Sequence, residues 1–205
     1  MMNIPPFKFI YLKLRTATVW TWTLVLSLTV ILSGFLLPEE LSIPVQDATK
    51  YDWNKNTFWN DRWGRSGVHK GIDIFSQLNK PVRASSYGIV IYKTKLVLGG
   101  NVVSVLGPKW RVHYYAHLNE TRVGLGSIVR RNDIIGTIGD TGNAKGKPPH
   151  LHYSIISLVP HIWRADDAKQ GWKKMFFLNP AEKLARAKSM RIMLSKNKRR
   201  THPGS

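Results

Sequence analysis

Between residues 68 and 158 the chain reads as six short apolar runs. They are Ile72-Asp73-Ile74-Phe75, Gly88-Ile89-Val90-Ile91-Tyr92, Asn101-Val102-Val103-Ser104-Val105, Arg111 to Leu118, Ile134 to Ile138 and Leu151 to Ile156, separated by glycine-bearing turns. Strands at this spacing predict a mainly β domain, a sandwich or barrel. Nothing in the stretch alternates strand with helix, so a parallel α/β sheet is excluded. Downstream, Ala181 to Leu194 has helix-forming composition and gives way to a basic tail expected to be frayed.

Upstream, Thr16 to Pro38 is a run of 23 residues without a charge. As a helix rising about 1.5 Å per residue it spans roughly 34 Å, enough for a bilayer core. Lys8, Lys13 and Arg15 precede it and Glu39 and Glu40 follow it, which places the N-terminus in the cytoplasm and the rest outside. A cleaved signal peptide is the competing reading, but the run is longer than an ordinary h-region and lacks an A-x-A-like site. The expected organisation is a cytoplasmic segment 1–15, a transmembrane anchor 16–38, a connector 39–58, a β domain 59–184 and a basic tail 185–205. Tyr51, Trp53, Phe58, Trp59 and Trp63 lie on the approach to the β domain and are read as a flap over a sheet edge.

The 205 residues carry a formal net charge of +19 and no cysteine. Without cysteine there is no disulfide framework, thiolate metal site or thiol nucleophile, so any metal must sit on histidine and carboxylate. Lys8, Lys13 and Arg15 contribute +3, and residues 183 to 200 contribute +8, leaving a moderately basic body.

Five of the seven histidines, with one aspartate, fall into three groups inside the β region. These are His69-Lys70-Gly71-Ile72-Asp73, His113-Tyr114-Tyr115-Ala116-His117 and His150-Leu151-His152. Each spacing is even, so on extended chain each pair points to one face. His150 and His152 would stand about 7 Å apart. Zinc accepts neutral imidazole and carboxylate, and a catalytic site needs three protein ligands and one open position. His69, Asp73 and one histidine of the third group would supply that set. The chain lacks the helical H-E-x-x-H motif, so unligated histidines would carry the proton transfers. His113 is left as either a structural or a functional residue, and His161 and His202 are read as surface residues.

On these residues the sequence resembles the lysostaphin-like, LytM-type zinc metallopeptidases that cut peptidoglycan peptides. His69, Gly71 and Asp73 match the H-x-G-x-D box; Tyr115-Ala116-His117-Leu118 matches Y-A-H-L; Thr141-Gly142-Asn143 and Pro149 to Tyr153 match the glycine loop and H-L-H box. Pro81-Val82, Ala84, Gly88, Val90, Val123, Gly126, Val129, Ile135-Gly136 and Asn179-Pro180 resemble the family's turns and closing segment. The resemblance implies a barrel-like antiparallel β-sandwich, the duplicated hybrid motif. It implies Zn2+ held by His69, Asp73 and His152, with His117 and His150 as the catalytic pair. Asn132 replaces a usual turn glycine, a position asparagine tolerates.

The expected activity is therefore that of a membrane-anchored zinc endopeptidase acting on peptidoglycan stem-peptide crosslinks or interpeptide bridges. Its body would face the periplasmic or extracellular side of the bacterial cytoplasmic membrane. The alternative is a catalytically silent LytM-like wall-binding protein that activates a partner amidase, to which a complete set of boxes would be of no use. Nucleic acid is not expected as a partner, because the basic body would lie outside the membrane. The basic tail is instead expected to touch anionic wall polymer or lipid headgroups. The connector is too short to hold a folded prodomain.

Overall fold

The computed structural model describes residues 6 to 61, 63, 66 to 187 and 189, with side chains from residue 18 onward. The chain separates into two compact units, residues 1–38 and 39–205.

The first unit is one helix, α1 (Pro6–Leu36). Within it Thr18–Leu36 is long and apolar enough to cross a membrane, a property that a signal sequence near an N-terminus shares. Thr23, Ser27 and Thr29 return their hydroxyls to carbonyls four residues back, so these three hydroxyls are satisfied inside the helix.

The second unit is built on nine antiparallel strands. They are β1 (Ile72–Phe75), β2 (Pro81–Arg83), β3 (Gly88–Leu96), β4 (Gly100–Gly107), β5 (Arg111–Thr121), β6 (Ile128–Val129), β7 (Ile134–Ile138), β8 (His150–Ser157) and β9 (Phe177–Leu178). The main path runs β1-β8-β5-β4-β3-β6, with β2 and β7 branching from β5 and β9 added at β8. The pairing does not close on itself, so the mainly β fold is an open, branched sheet.

Among the described residues the core is drawn from residues 41 to 187. Val103 and Val105 on β4, Tyr115 on β5, and Leu151, Tyr153 and Ile155 on β8 supply its centre, all essentially sealed from solvent. Among the described residues the body thus holds its hydrophobic core without residues 18–38, the property expected of a domain able to fold alone. Residues 39 to 58 are not a free connector. Leu41, Val45 and Trp53 join the core, Val45 bridges Val82, and Arg83 N donates to Pro44 O at 2.7 Å. Glu39 pairs with Arg111 at the start of β5. The run was too polar and too Pro-broken to read as an element, and its three buried apolar side chains have no fixed period.

Residues 180 to 187 are helical, continuing the closing segment after β9. The remainder of the expected helix and nearly all of the basic tail lie outside the described residues. Asn132 adopts φ +75°, and its N–H donates to Ala84 O, so asparagine does take the glycine-like turn position.

Candidate metal and catalytic centre

Two central strands build the site. On β8 the odd residues Leu151, Tyr153 and Ile155 face the core, which sends His150, His152, Ser154 and Ile156 into an open cleft of about 580 Å³. On β5 the same alternation puts Tyr114 and Ala116 on the cleft face, opposite Ser154 and His152 respectively. β1 lies on the other side of β8 with Asp73 directly opposite His152 and Phe75 opposite His150.

His69 precedes β1 and is fixed by backbone bonds to the aromatic approach. Trp59 N donates to His69 O at 2.7 Å and His69 N to Asn60 O at 2.9 Å. Its ring is buried beneath Trp63, stacked at 3.9 Å between centroids and 18° between planes. His69 Nε2, Asp73 Oδ1 and His152 Nδ1 converge, with separations of 3.1 Å from Nε2 to Oδ1, 2.8 Å from Nδ1 to Oδ1 and 3.1 Å between the nitrogens. Among the described residues these three form the group able to hold a metal ion.

The outer nitrogens of both imidazoles are occupied. His69 Nδ1 lies 3.1 Å from Thr57 O, which can only accept, so Nδ1 carries the hydrogen and Nε2 keeps a lone pair. His152 Nε2 lies 3.0 Å from Ser154 Oγ. Partners of this kind orient an imidazole toward a metal and set its tautomer. Burial pushes Asp73 upward, but the adjoining His152 and His69 side chains outweigh it and hold the carboxyl well below its usual range. Burial lowers His152, keeping its ring neutral. Zinc takes carboxylate and imidazole in their deprotonated forms, which the lowered Asp73 and His152 favour.

The even spacing of His113 and His117 predicts one shared face, and the structure overturns this. His113 follows the alternation into the core side, opposite Ile155, where it is fully buried with Nδ1 2.8 Å from Tyr153 Oη. By the same alternation His117 should be the next core-facing residue after Tyr115. Instead its φ is +63°, and the ladder to β4 gains an extra residue between the Val103–Tyr115 and Asn101–Leu118 pairs. Such a bulge turns a side chain to the opposite face. His117 therefore enters the cleft and His113 does not. Burial and the adjacent Arg111 charge lower His113 to about 3, so it is a neutral structural residue.

His117 and His150 meet edge to face, 5.0 Å between centroids. His117 Nδ1 lies 2.8 Å from Thr141 O and His150 Nδ1 lies 2.8 Å from Pro148 O. Both carbonyls can only accept, so each ring in its neutral form carries hydrogen on Nδ1 and presents a bare Nε2. Burial, followed by the neighbouring His150 and His152, lowers His117 to about 4. Near neutral pH His117 is thus an unprotonated base.

The structure brings together His69, Asp73, His117, His150 and His152. Sequence reasoning passed over Ser154, Tyr114 and Trp63. Strand parity was the signal for the first two, since Ser154 is two residues past His152 and Tyr114 is its cross-strand partner. Burial, then the Tyr92 charge, pushes Tyr114 up to about 12, so it stays protonated. Lys70 and Lys147 also line the cleft, and burial followed by the Lys173 charge lowers Lys70.

Residues 67–162 match the family model described as peptidase family M23. Over 125 residues the chain is 34% identical to an L-Ala–D-Glu endopeptidase of Bacillus subtilis, covering 57% of this chain and 38% of that protein. Over 89 residues it is 35% identical to lysostaphin of Staphylococcus simulans, covering 42% of this chain and 18% of that one. It thus spans well under half the length of these relatives. Among solved structures, a glycyl-glycine endopeptidase LytM described for Ruminococcus gnavus superposes with a TM-score of 0.57 at 22% identity, covering 92% of this chain and 75% of that one. At that identity the likeness is one of fold alone. With the fold, the motif-bearing segment and the relatives in agreement, residues 67–162 of this chain are a peptidase family M23 domain.

Proposed function

We propose that the chain is a membrane-anchored zinc endopeptidase that hydrolyses peptide bonds of bacterial peptidoglycan, with its body on the periplasmic or extracellular side. The observation that carries the reading is the convergence, in one cleft, of a His69–Asp73–His152 donor group with two further imidazoles, His117 and His150, held through Nδ1 by backbone carbonyls.

His69 Nε2, His152 Nδ1 and an Asp73 oxygen would hold zinc, and their chemistry fits, being one carboxylate and two imidazoles whose other nitrogens are already engaged. When bound, zinc supplies Lewis acidity toward a scissile carbonyl and lowers the pKa of water. The chain's own groups then handle the protons. The bare Nε2 of one histidine of the His117–His150 pair accepts the proton of the attacking water. The other, once protonated, donates to the developing oxyanion or the leaving amine. The Nδ1 bonds to Thr141 O and Pro148 O keep both rings aimed through these exchanges.

Lys70 and Lys147 place cations on the cleft. They favour a carboxylate-bearing stem peptide over an uncharged glycyl bridge, in keeping with the relative named as an L-Ala–D-Glu endopeptidase. The silent-binder alternative gains nothing from a complete and converging set of hydrolytic groups.

The test is mass spectrometry of peptidoglycan fragments after incubation with residues 39–205. New peptide termini that vanish with chelator and in His117→Asn support the reading and identify the bond. A folded, zinc-loaded body that yields no new termini from several wall types refutes it.

A further inference from the structure

After β8 the chain leaves the sheet and exposes large apolar side chains in a short span. Leu158 is 53% exposed, Ile162 69% and Trp163 76%, and Trp172 on a neighbouring turn is 59% exposed. These are not loose loop tips. Ile162–Arg164 and Gly171–Met175 are 3-10 turns tied together, with His161 N donating to Met175 O at 2.8 Å. Arg164 donates to Lys174 O and Phe177 O. The ring of His161 meets Trp163 edge to face at 5.1 Å. A soluble body rarely holds several large apolar side chains rigidly in water unless something covers them.

Cations surround the same corner. Lys173 Nζ sits 5.4 Å over the Trp172 ring. Burial and then the charges of Arg111, Arg186 and Arg164 lower Lys183, while Glu182 acts in the opposite sense, so basic groups crowd one another here. Exposed tryptophan flanked by lysine and arginine is the composition that settles at the headgroup level of a membrane with anionic lipid.

The start of the body lies near the same corner. Glu39, the first residue after the uncharged run, pairs with Arg111 at the start of β5. Arg111 stands opposite Ser157, the last residue of β8, and Leu158 N donates to Trp110 O at 2.9 Å. Glu39, where the body begins, is thus held at the strand end from which the exposed patch emerges.

We propose that Leu158, Ile162, Trp163 and Trp172, ringed by Lys173 and Lys183, form a docking surface for an anionic phospholipid bilayer. The body would then have its own affinity for the membrane face, separate from the N-terminal helix and independent of metal or peptidase activity.

The test is co-sedimentation of residues 39–205 with vesicles of phosphatidylcholine alone or mixed with phosphatidylglycerol, repeated with brominated acyl chains. Binding is expected only with phosphatidylglycerol, with tryptophan emission quenched by the bromines. Ile162→Ser combined with Trp163→Ser should weaken binding by about tenfold or more and remove most of the quenching. Both residues are exposed, so the thermal melt should stay put; Trp172→Gln is a second, independent variant expected to weaken binding in the same direction. Failure to sediment with phosphatidylglycerol overturns the proposal. So does equal binding by the parent and both variants, which would leave the basic tail as the only lipid contact. Loss of binding to isolated cell wall with unchanged vesicle binding would assign the surface to wall polyanion instead and equally overturn it.

Discussion

Asp73 and His152 occupy the same register position of neighbouring antiparallel strands, with His152 Nδ1 2.8 Å from Asp73 Oδ1. The two residues are far apart in sequence, and the β1–β8 ladder fixes their spacing. A slip of one residue would send one of them to the opposite face. His69 enters from outside the ladder and depends on its bonds to Thr57 and to the backbone of residues 59–60. The donor group is thus rigid on one side and held by a loop on the other.

Ser154 holds the outer nitrogen of His152 at 3.0 Å from the same strand face. Ser154→Ala removes that partner without touching the three donors. Zinc affinity should fall on the order of 10- to 100-fold, as for other partners that orient a metal-binding imidazole. Competition with a chelating dye measures this, and an unchanged affinity would show that the β1–β8 register alone orients the ring.

His117→Asn is the cleanest way to remove the cleft base, because asparagine tolerates the φ of +63° that His117 adopts. Hydrolysis should fall by roughly 10²- to 10⁴-fold, the range for loss of a general acid or base. Metal content, read by atomic absorption, should match the parent. Parallel loss of metal would place His117 in the binding group instead.

His113 makes stability depend on pH. Its folded imidazole titrates near about 3 against an ordinary 6.5, with burial as the main cause. Between those values the unfolded chain takes up a proton that the folded body refuses. The contribution is therefore level above about 6.5 and is lost as pH falls toward 3, with a slope approaching ~1.4 kcal/mol per pH unit. Urea titrations at several pH values should give a flatter curve for His113→Gln than for the parent over that window. Identical curves would mean that His113 accepts its proton without opening the fold.

Glu39 and Arg111 form an ion pair with side chains only 9% and 13% exposed. Glu39→Gln leaves Arg111 a largely buried cation without its counter-charge. Removing one partner of such a pair costs on the order of 3 kcal/mol. Chemical denaturation of residues 39–205 should register the loss, whereas Glu40→Gln, in an exposed pair with Arg131, should change stability by about 0.5 kcal/mol or less.

Legibility in the sequence followed the length of each signal. Ile72–Phe75 and Ile134–Ile138 appear as strands with the boundaries read from their apolar runs, and the longer β3, β4, β5 and β8 contain theirs. β2, β6 and β9 span two or three residues, too few to show a period of two. The histidine boxes were visible because zinc chemistry limits the residue types. The placement of His113 and His117 was not, since it turns on one bulge in β5 that no local spacing records. Ser154 and Tyr114 become meaningful only when the β5–β8 register is known.

The position of His117 depends on two loops meeting backbone to backbone. His117 N donates to Gly99 O at 2.7 Å and His117 Nδ1 to Thr141 O at 2.8 Å, so one loop holds its main chain and the other its ring. Between them stands Gly100, with φ +63°, where an added Cβ would lie 2.1 Å from Thr141 Oγ1 and 2.6 Å from Gly142 N. Neither the conformation nor the space suits a side chain. Gly100→Ala must spread the loops or twist one of them, and either shift moves the His117 ring relative to His150. A displacement near 1 Å in a catalytic group can cost about 10²-fold in rate. We expect hydrolysis by Gly100→Ala to fall by that order while zinc content stays at the parental level, because His69, Asp73 and His152 lie on other elements. Full activity in Gly100→Ala would mean that the β5 bulge alone sets His117 and that the two loops are free to vary.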